Sequence, residues 1–127
     1  MELGKLDHVN IRTSNLDALT SWYQSILGMK SAYRPPFPFP GAWLYVGEDA
    51  AVHLIGIESG PTVGDDLQLE HFAFKASGLD EFRNHLDRNA VKFEEVAVPG
   101  IDVTQLNMWD PDGNHIHIDF DTSSPHP

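Results

Sequence analysis

"LDHVNIRTSNLD" occupies residues 6–17, and "LEHFAFKASGLD" occupies residues 69–80. Aligned without a gap, the two stretches share Leu6 with Leu69, His8 with His71, Ser14 with Ser77, Leu16 with Leu79 and Asp17 with Asp80. Asp7 against Glu70 and Arg12 against Lys75 preserve the charge. A chain that states one pattern twice is built from two copies of one supersecondary unit, so this pair of segments decides the fold.

Both copies open on alternating apolar residues, Val9 and Ile11, then Phe72 and Phe74, which is the period of a half-buried strand. The period then lengthens. Leu16, Leu19, Tyr23, Ile26 and Leu27 fall at helical spacing after a Ser14-x-x-Asp17 start that resembles a capping box, and Gly28 supplies a stop. Leu79, Phe82 and Leu86 repeat the helical face after Ser77-x-x-Asp80. Three short strand-like stretches follow each helix: residues 30–34, 43–46 and 51–57 in the first half, and 92–98, 102–109 and 115–120 in the second. "DPDGN" at 110–114 is a hairpin signal, and "GEDA" at 47–50 stands in the equivalent place. The chain therefore reads as βαβββ twice, an α+β fold in a single domain spanning residues 1–127. Module one covers about 6–57, a Gly-, Pro- and Asp-rich linker 58–66, and module two about 69–120. A polar, proline-rich tail, 121–127, contains His126. "RPPFPFPG" at 34–41 cannot be an interior strand, because prolines remove ladder donors; it reads as a rim loop carrying two phenylalanines.

Composition narrows the function. The 127 residues carry 19 acidic against 8 basic side chains, a formal charge of −11, and so lack the basic stripe that neutralises phosphates. Nucleic acid and anionic membrane are poor partners. With no cysteine, thiolate metal sites, iron–sulfur clusters, disulfides and cysteine nucleophiles are excluded, so any metal must be held by nitrogen or oxygen. No signal-like N-terminus and no bilayer-length apolar run are present, and a soluble cytoplasmic protein is expected. Neither a Walker-type nor a dinucleotide-binding glycine pattern occurs.

The histidines carry the functional reading. Besides His8 and His71, each half ends on a histidine in its last strand, His53 in "AVHLIG" and His117 in "HIHIDF". One inserted residue reconciles the two spacings, so the four form two repeat-equivalent pairs. If Val9, Ile11, Phe72, Phe74, Val52, Leu54, Ile116, Ile118 and Phe120 face the helices, alternation sends the other set to the opposite face. That set comprises His8, Asn10, Arg12, His53, His71, Lys75, His115, His117 and Asp119, too polar for a packed core and suited to a binding cleft. Imidazoles on the strands of a rigid sheet suit zinc, iron, nickel or copper, and a divalent iron, nickel, zinc or manganese ion is the expected cofactor. Four neutral nitrogens leave the ion's double charge uncompensated, which favours an anionic ligand binding through adjacent oxygens. Asp119 is the candidate general base or histidine-orienting carboxylate. His115 lacks a histidine counterpart and reads as a lining or supporting group. Asn10, Arg12, Tyr45, Asn107 and Trp109 are the other expected lining residues, with Trp43 beside them; His85 reads as a surface residue of the second helix.

"LDHVNIRTSNLDALTSWYQSILGM", "LEHFAF" and "WDPDGNHIHIDF" closely resemble the vicinal oxygen chelate superfamily, which includes glyoxalases, extradiol dioxygenases, methylmalonyl-CoA epimerases and the bleomycin and fosfomycin resistance proteins. The resemblance runs from Leu6 to about Phe120 and implies two βαβββ modules forming a cupped mixed sheet, with helices on its outer face and a divalent metal in the cup. Carried over residue by residue, the implied ligands are His8, His53, His71 and His117. Members usually have a carboxylate at the position of His117, and glyoxalase-like ones often have Glu at that of His53. These departures count against a two-histidine, two-glutamate glyoxalase mechanism and against a two-His-one-carboxylate iron triad. The resemblance also implies a homodimer. A metal-dependent dioxygenase or lyase acting on a small anionic substrate is the first expectation; a metal-independent, drug-sequestering type of binding protein is the second. A duplicated scaffold acting through protein contacts alone ranks below both.

Overall fold

A computed structural model describes residues 1–2, 5–60 and 69–122. Residues 61–66 of the expected linker and 123–127 of the expected tail, with His126, lie outside the described residues. The chain divides into two compact units, Met1–Val63 and Gly64–Pro127. The first carries β1 (Val9–Thr13), α1 (Leu16–Ser25), β2 (Lys30–Ala32), β3 (Gly41–Val46) and β4 (Asp49–Gly56). The second carries β5 (Phe72–Ala76), α2 (Leu79–Arg88), β6 (Glu94–Ala97), β7 (Val103–Trp109) and β8 (His115–Asp121). Each unit is the expected βαβββ module, and the fold is α+β. The strand orders are β1-β4-β3-β2 and β5-β8-β7-β6. Both sheets are mixed: β1 runs parallel to β4 and β5 parallel to β8, while the remaining neighbours are antiparallel.

Alternation sorts the side chains. In unit one, Leu19, Tyr23 and Ile26 of the helical stretch are buried along with Leu44, Val52 and Leu54, and α1 lies against β2, β3 and β4. Leu86 is buried in unit two, as are Leu106, Met108, Ile116, Ile118 and Phe120, and the Phe82 ring meets Phe120 at 6.0 Å between centroids. Each fully buried aliphatic or aromatic side chain contributes about 1.5–3 kcal/mol.

The helix starts differ from the capping-box expectation. Asn15, not Ser14, is the N-cap of α1, and no side chain caps it; the Thr13 hydroxyl instead accepts the Asn15 N–H at 2.9 Å, one position too early for Ser14 and Asp17 to reciprocate. The N-cap of α2 is Gly78 at φ +85°, a left-handed conformation that glycine adopts without a Cβ penalty, again with no side-chain cap. The stop at Gly28 is as expected: at φ +70° its N–H reaches Gln24 O (3.1 Å), the bond of a left-handed helix end, and the Met29 N–H reaches Tyr23 O (3.1 Å). In "DPDGN" the buried Asp110 accepts the N–H groups of Asp112 (3.0 Å) and Asn114 (2.9 Å), and this turn joins β7 to β8.

Candidate metal centre

Strand register places the histidines. Asn10 stands beside His53 in the β1–β4 pair, and Ala73 stands beside His117 in the β5–β8 pair. His8 and His71 come two residues before those positions, directly ahead of β1 and β5 rather than inside the strands, and the two-residue step keeps each on the face of its partner. The ring centroids of His8 and His53 are 3.9 Å apart, those of His71 and His117 4.4 Å. The repeat extends to exposure. The His8 and His71 side chains are 39% and 40% exposed, whereas His53 and His117 are buried. Each unit thus offers one deep and one half-open imidazole.

Every one of these four rings has one nitrogen on an oxygen acceptor. His8 Nδ1 meets Asp7 Oδ2 at 2.7 Å, and His71 Nδ1 meets Glu70 Oε1 at 2.9 Å. His117 Nδ1 meets Asp119 Oδ1 at 2.5 Å, and His53 Nε2 meets the Ala50 carbonyl at 2.9 Å. An N–H donated to each acceptor fixes the tautomer and leaves the lone pair on the other nitrogen. Among the described residues that second nitrogen has no hydrogen-bond partner in any of the four. Within each unit, two imidazoles oriented by an acceptor behind them are donors of the type that a divalent ion of intermediate softness takes. The two pairs differ in ring geometry. His71 and His117 are inclined at 45°, whereas His8 and His53 are stacked at 10° and must splay for both to reach one ion.

His115 behaves otherwise. Its Nδ1 lies 2.9 Å from Glu70 Oε2 and its Nε2 2.8 Å from Asn107 Oδ1, so both nitrogens face acceptors and it is engaged as a supporting group. Glu70 consequently bridges His71 and His115. These three residues also place one potential ligand atom each within 4.8 Å of one another. The Glu70 oxygens already accept from both rings, which makes the trio a carboxylate bridge behind His71. Asn107 is buried and also donates to Glu94 O at 3.3 Å, while Trp109 stacks on His115 at 5.0 Å. Asn10 and Arg12 are exposed on β1, and the Tyr45 hydroxyl donates to Tyr33 O at 2.6 Å. Asp7 and Glu70 are the carboxylates against these histidines that the sequence reading did not select. Their signal was there, an acid immediately before the repeated histidine in both copies.

Electrostatics favours the neutral, ligating form at the deepest ring of unit one. Burial pushes His53 below its ordinary value, the neighbouring His8 pushes it the same way, and the Ala50 hydrogen bond and Asp7 oppose the shift in part. The Glu70 carboxyl is held below its usual range by the hydrogen bond from His115 first and that from His71 second. On unit one's aromatic side, the Trp43 ring stacks on His53 at 4.0 Å and 11°, so His53 is flanked by Trp43 and His8.

A duplicated βαβββ chain with paired histidines on its sheets defines a class, and comparison with known proteins identifies it. The family model of the Glyoxalase/Bleomycin resistance protein/Dioxygenase superfamily matches residues 5–118, and the chain belongs to that superfamily. It is 28% identical over 126 residues to biphenyl-2,3-diol 1,2-dioxygenase 3 of Rhodococcus globerulus; the match covers 92% of this chain and 63% of that protein. Solved structures share the fold. A glyoxalase family protein from Bacillus anthracis superposes with TM-score 0.78 at 21% identity, covering 95% of this chain and 98% of that one. A glyoxylase/bleomycin resistance protein/dioxygenase domain from Frankia sp. EAN1pec gives 0.77 at 21% identity, covering 98% and 97%. Among the described residues no helix is long and apolar enough to cross a membrane.

Proposed function

We propose that the chain is a metal-dependent enzyme of the dioxygenase or lyase type, acting on a small anionic substrate through two adjacent oxygens. His8, His53, His71 and His117 are its metal ligands. The observation that carries this reading is the shared pattern of the four rings, one nitrogen on an acceptor and the other without a partner among the described residues. When bound, iron, nickel, zinc or manganese supplies Lewis-acid stabilisation of the anion that develops on the substrate. The chain's own groups orient the ligands. Asp119 holds His117, Asp7 holds His8, and Glu70 holds His71 with His115 and Asn107 behind it. Asp119, 26% exposed, is also the candidate proton acceptor from substrate. The Rhodococcus relative supports an oxygenase reading, and this chain spans 63% of that protein's length. Cytoplasmic location, a homodimer and one domain comprising both modules belong to the same proposal.

The test is elemental analysis of untagged protein purified without chelator under low oxygen, beside a His8→Ala/His71→Ala variant. Near-stoichiometric divalent metal that is lost in the variant is the expected result. Well-folded protein that stays metal-free after incubation with each ion contradicts it. A second reading, metal-independent binding of a small molecule, is favoured by one observation: the face-to-face stack of Trp43, His53 and His8 is complete as it stands.

A further inference from the structure

The proline-rich segment between β2 and β3 is not absorbed by the metal reading. Phe37 and Phe39 remain 41% and 40% exposed, yet they are tightly held. Their rings lie 5.2 Å apart at 11°, and the Arg34 guanidinium carbon sits 5.0 Å from one centroid and 5.1 Å from the other. Arg34 Nη2 donates to Phe39 O at 3.0 Å, while its buried Nε has no hydrogen-bond partner among the described residues. Gly41 makes room for this arrangement: a Cβ there would meet Arg34 Nη2 at 2.7 Å and Cζ at 2.9 Å, as well as the Leu54 carbonyl. The segment is pinned at both ends, by Tyr45 on Tyr33 O and by the Gly56 N–H on Pro40 O at 2.9 Å. Pro35, Pro36, Pro38 and Pro40 restrict φ between those ends.

Exposed phenylalanines gain by being covered, and leaving a buried guanidinium N–H without a partner costs stability. A segment that accepts both to hold two rings outward is organised for a ligand. The rings also continue inwards: Phe37 meets Trp43 at 6.3 Å, Trp43 stacks on His53, and His53 stacks on His8. The series runs from the exposed segment to the histidine pair of unit one. We infer that Phe37, Phe39 and Trp43 form a binding wall for a flat aromatic ring, held rigid by Arg34, so that the ligands of this protein carry an aromatic group. Faces prepared in advance favour a planar π system over an aliphatic group of equal area, since ring–ring contact adds to burial. This inference adds a ligand class and needs no bound metal.

The experiment uses chelator-treated full-length protein and two probes of matched charge and size, 2-naphthoate and decalin-2-carboxylate, titrated by calorimetry and ligand-observed NMR. Naphthoate is expected to bind at least about 10-fold more tightly than the saturated acid. Phe37→Leu/Phe39→Leu, which keeps apolar surface and removes the ring faces, is expected to erase that preference with the melting temperature unchanged. No naphthoate binding at millimolar concentration, or equal affinity for the two acids, would overturn the inference. So would a variant that keeps wild-type affinity; if it also loses self-association, the rings belong to a subunit contact. The metal content of the same variant is read separately, and its retention or loss bears only on the four-histidine proposal.

Discussion

At the scale of single residues, the roles of Asp7, Glu70 and Asp119 follow from where their oxygens sit. Each accepts from a histidine Nδ1 and thereby presents Nε2, which is how an outer carboxylate orients an imidazole toward an ion in the proposed site. Asp119→Ala is therefore expected to weaken zinc affinity about 10–100-fold, measured by competition with a chelating dye, while the melting temperature stays within a few degrees. An unchanged affinity would reduce Asp119 to a solvated carboxylate at the end of β8. In the proposed site, removing His115 reaches the ion only through Glu70 and His71. His115→Ala is expected to cost less affinity than Asp119→Ala in the same assay, and the reverse order would make His115 a ligand. Sequence alone placed His8, His53, His71 and His117 on common faces because strand alternation and the repeat are both local rules. It named Asp119, which lies against His117, but did not select Asp7 or Glu70, which lie against His8 and His71. The acid before each repeated histidine is visible in the sequence, but that it turns onto its neighbour's ring depends on a side-chain rotamer, which the sequence does not show.

At the scale of the elements, the two helices show how one pattern reaches one shape by different end chemistry. The first helix is closed by Gly28, but after the second the left-handed position falls on Ala90 at φ +55°. A Cβ is strained there. Ala90→Gly is expected to stabilise unit two by about 0.5–1 kcal/mol in urea unfolding, and a loss of stability would contradict the strain. Arg83 ties α2 to β6 by paired contacts to Glu95, 2.6 Å from Nε to Oε1 and 2.7 Å from Nη2 to Oε2, with Asp80 at 2.6 Å on Nη1. That arrangement holds the Glu95 carboxyl below its ordinary 4.5, the Arg83 hydrogen bond leading against an opposing desolvation. A depressed carboxyl contributes stability that is complete above about pH 4.5 and disappears as pH falls through the lowered value. Glu95→Gln is expected to cost about 1 kcal/mol or less at pH 7, because the pair is solvent-screened, and almost nothing once the pH is below the lowered value. A cost that persisted at low pH would show that packing, not charge, is at work. The capping boxes expected from Ser14 and Ser77 do not form, since the helix starts moved by one residue to Asn15 and Gly78. A motif of four letters does not fix a boundary to that accuracy.

At the scale of the whole molecule, the repeat explains why one short chain carries two similar sets of donors. The duplicated strand–helix period, the Gly28 stop and the "DPDGN" turn made the two βαβββ modules legible, for each is written within a dozen residues. What sequence could not show is how far the halves have diverged. Opposite the last-strand histidine stands Trp43 in one unit and Asn107 in the other. The first half has become an aromatic stack, and the second a polar network of His71, Glu70, His115 and Asn107. The central claim, that four histidines ligate a divalent ion, is tested most directly by X-ray absorption at the metal edge of the loaded protein. Outer-shell scattering from four imidazoles, falling to fewer in a His117→Ala variant, is the expected result. A spectrum with two imidazoles or fewer, or one unchanged by that substitution, would contradict the account.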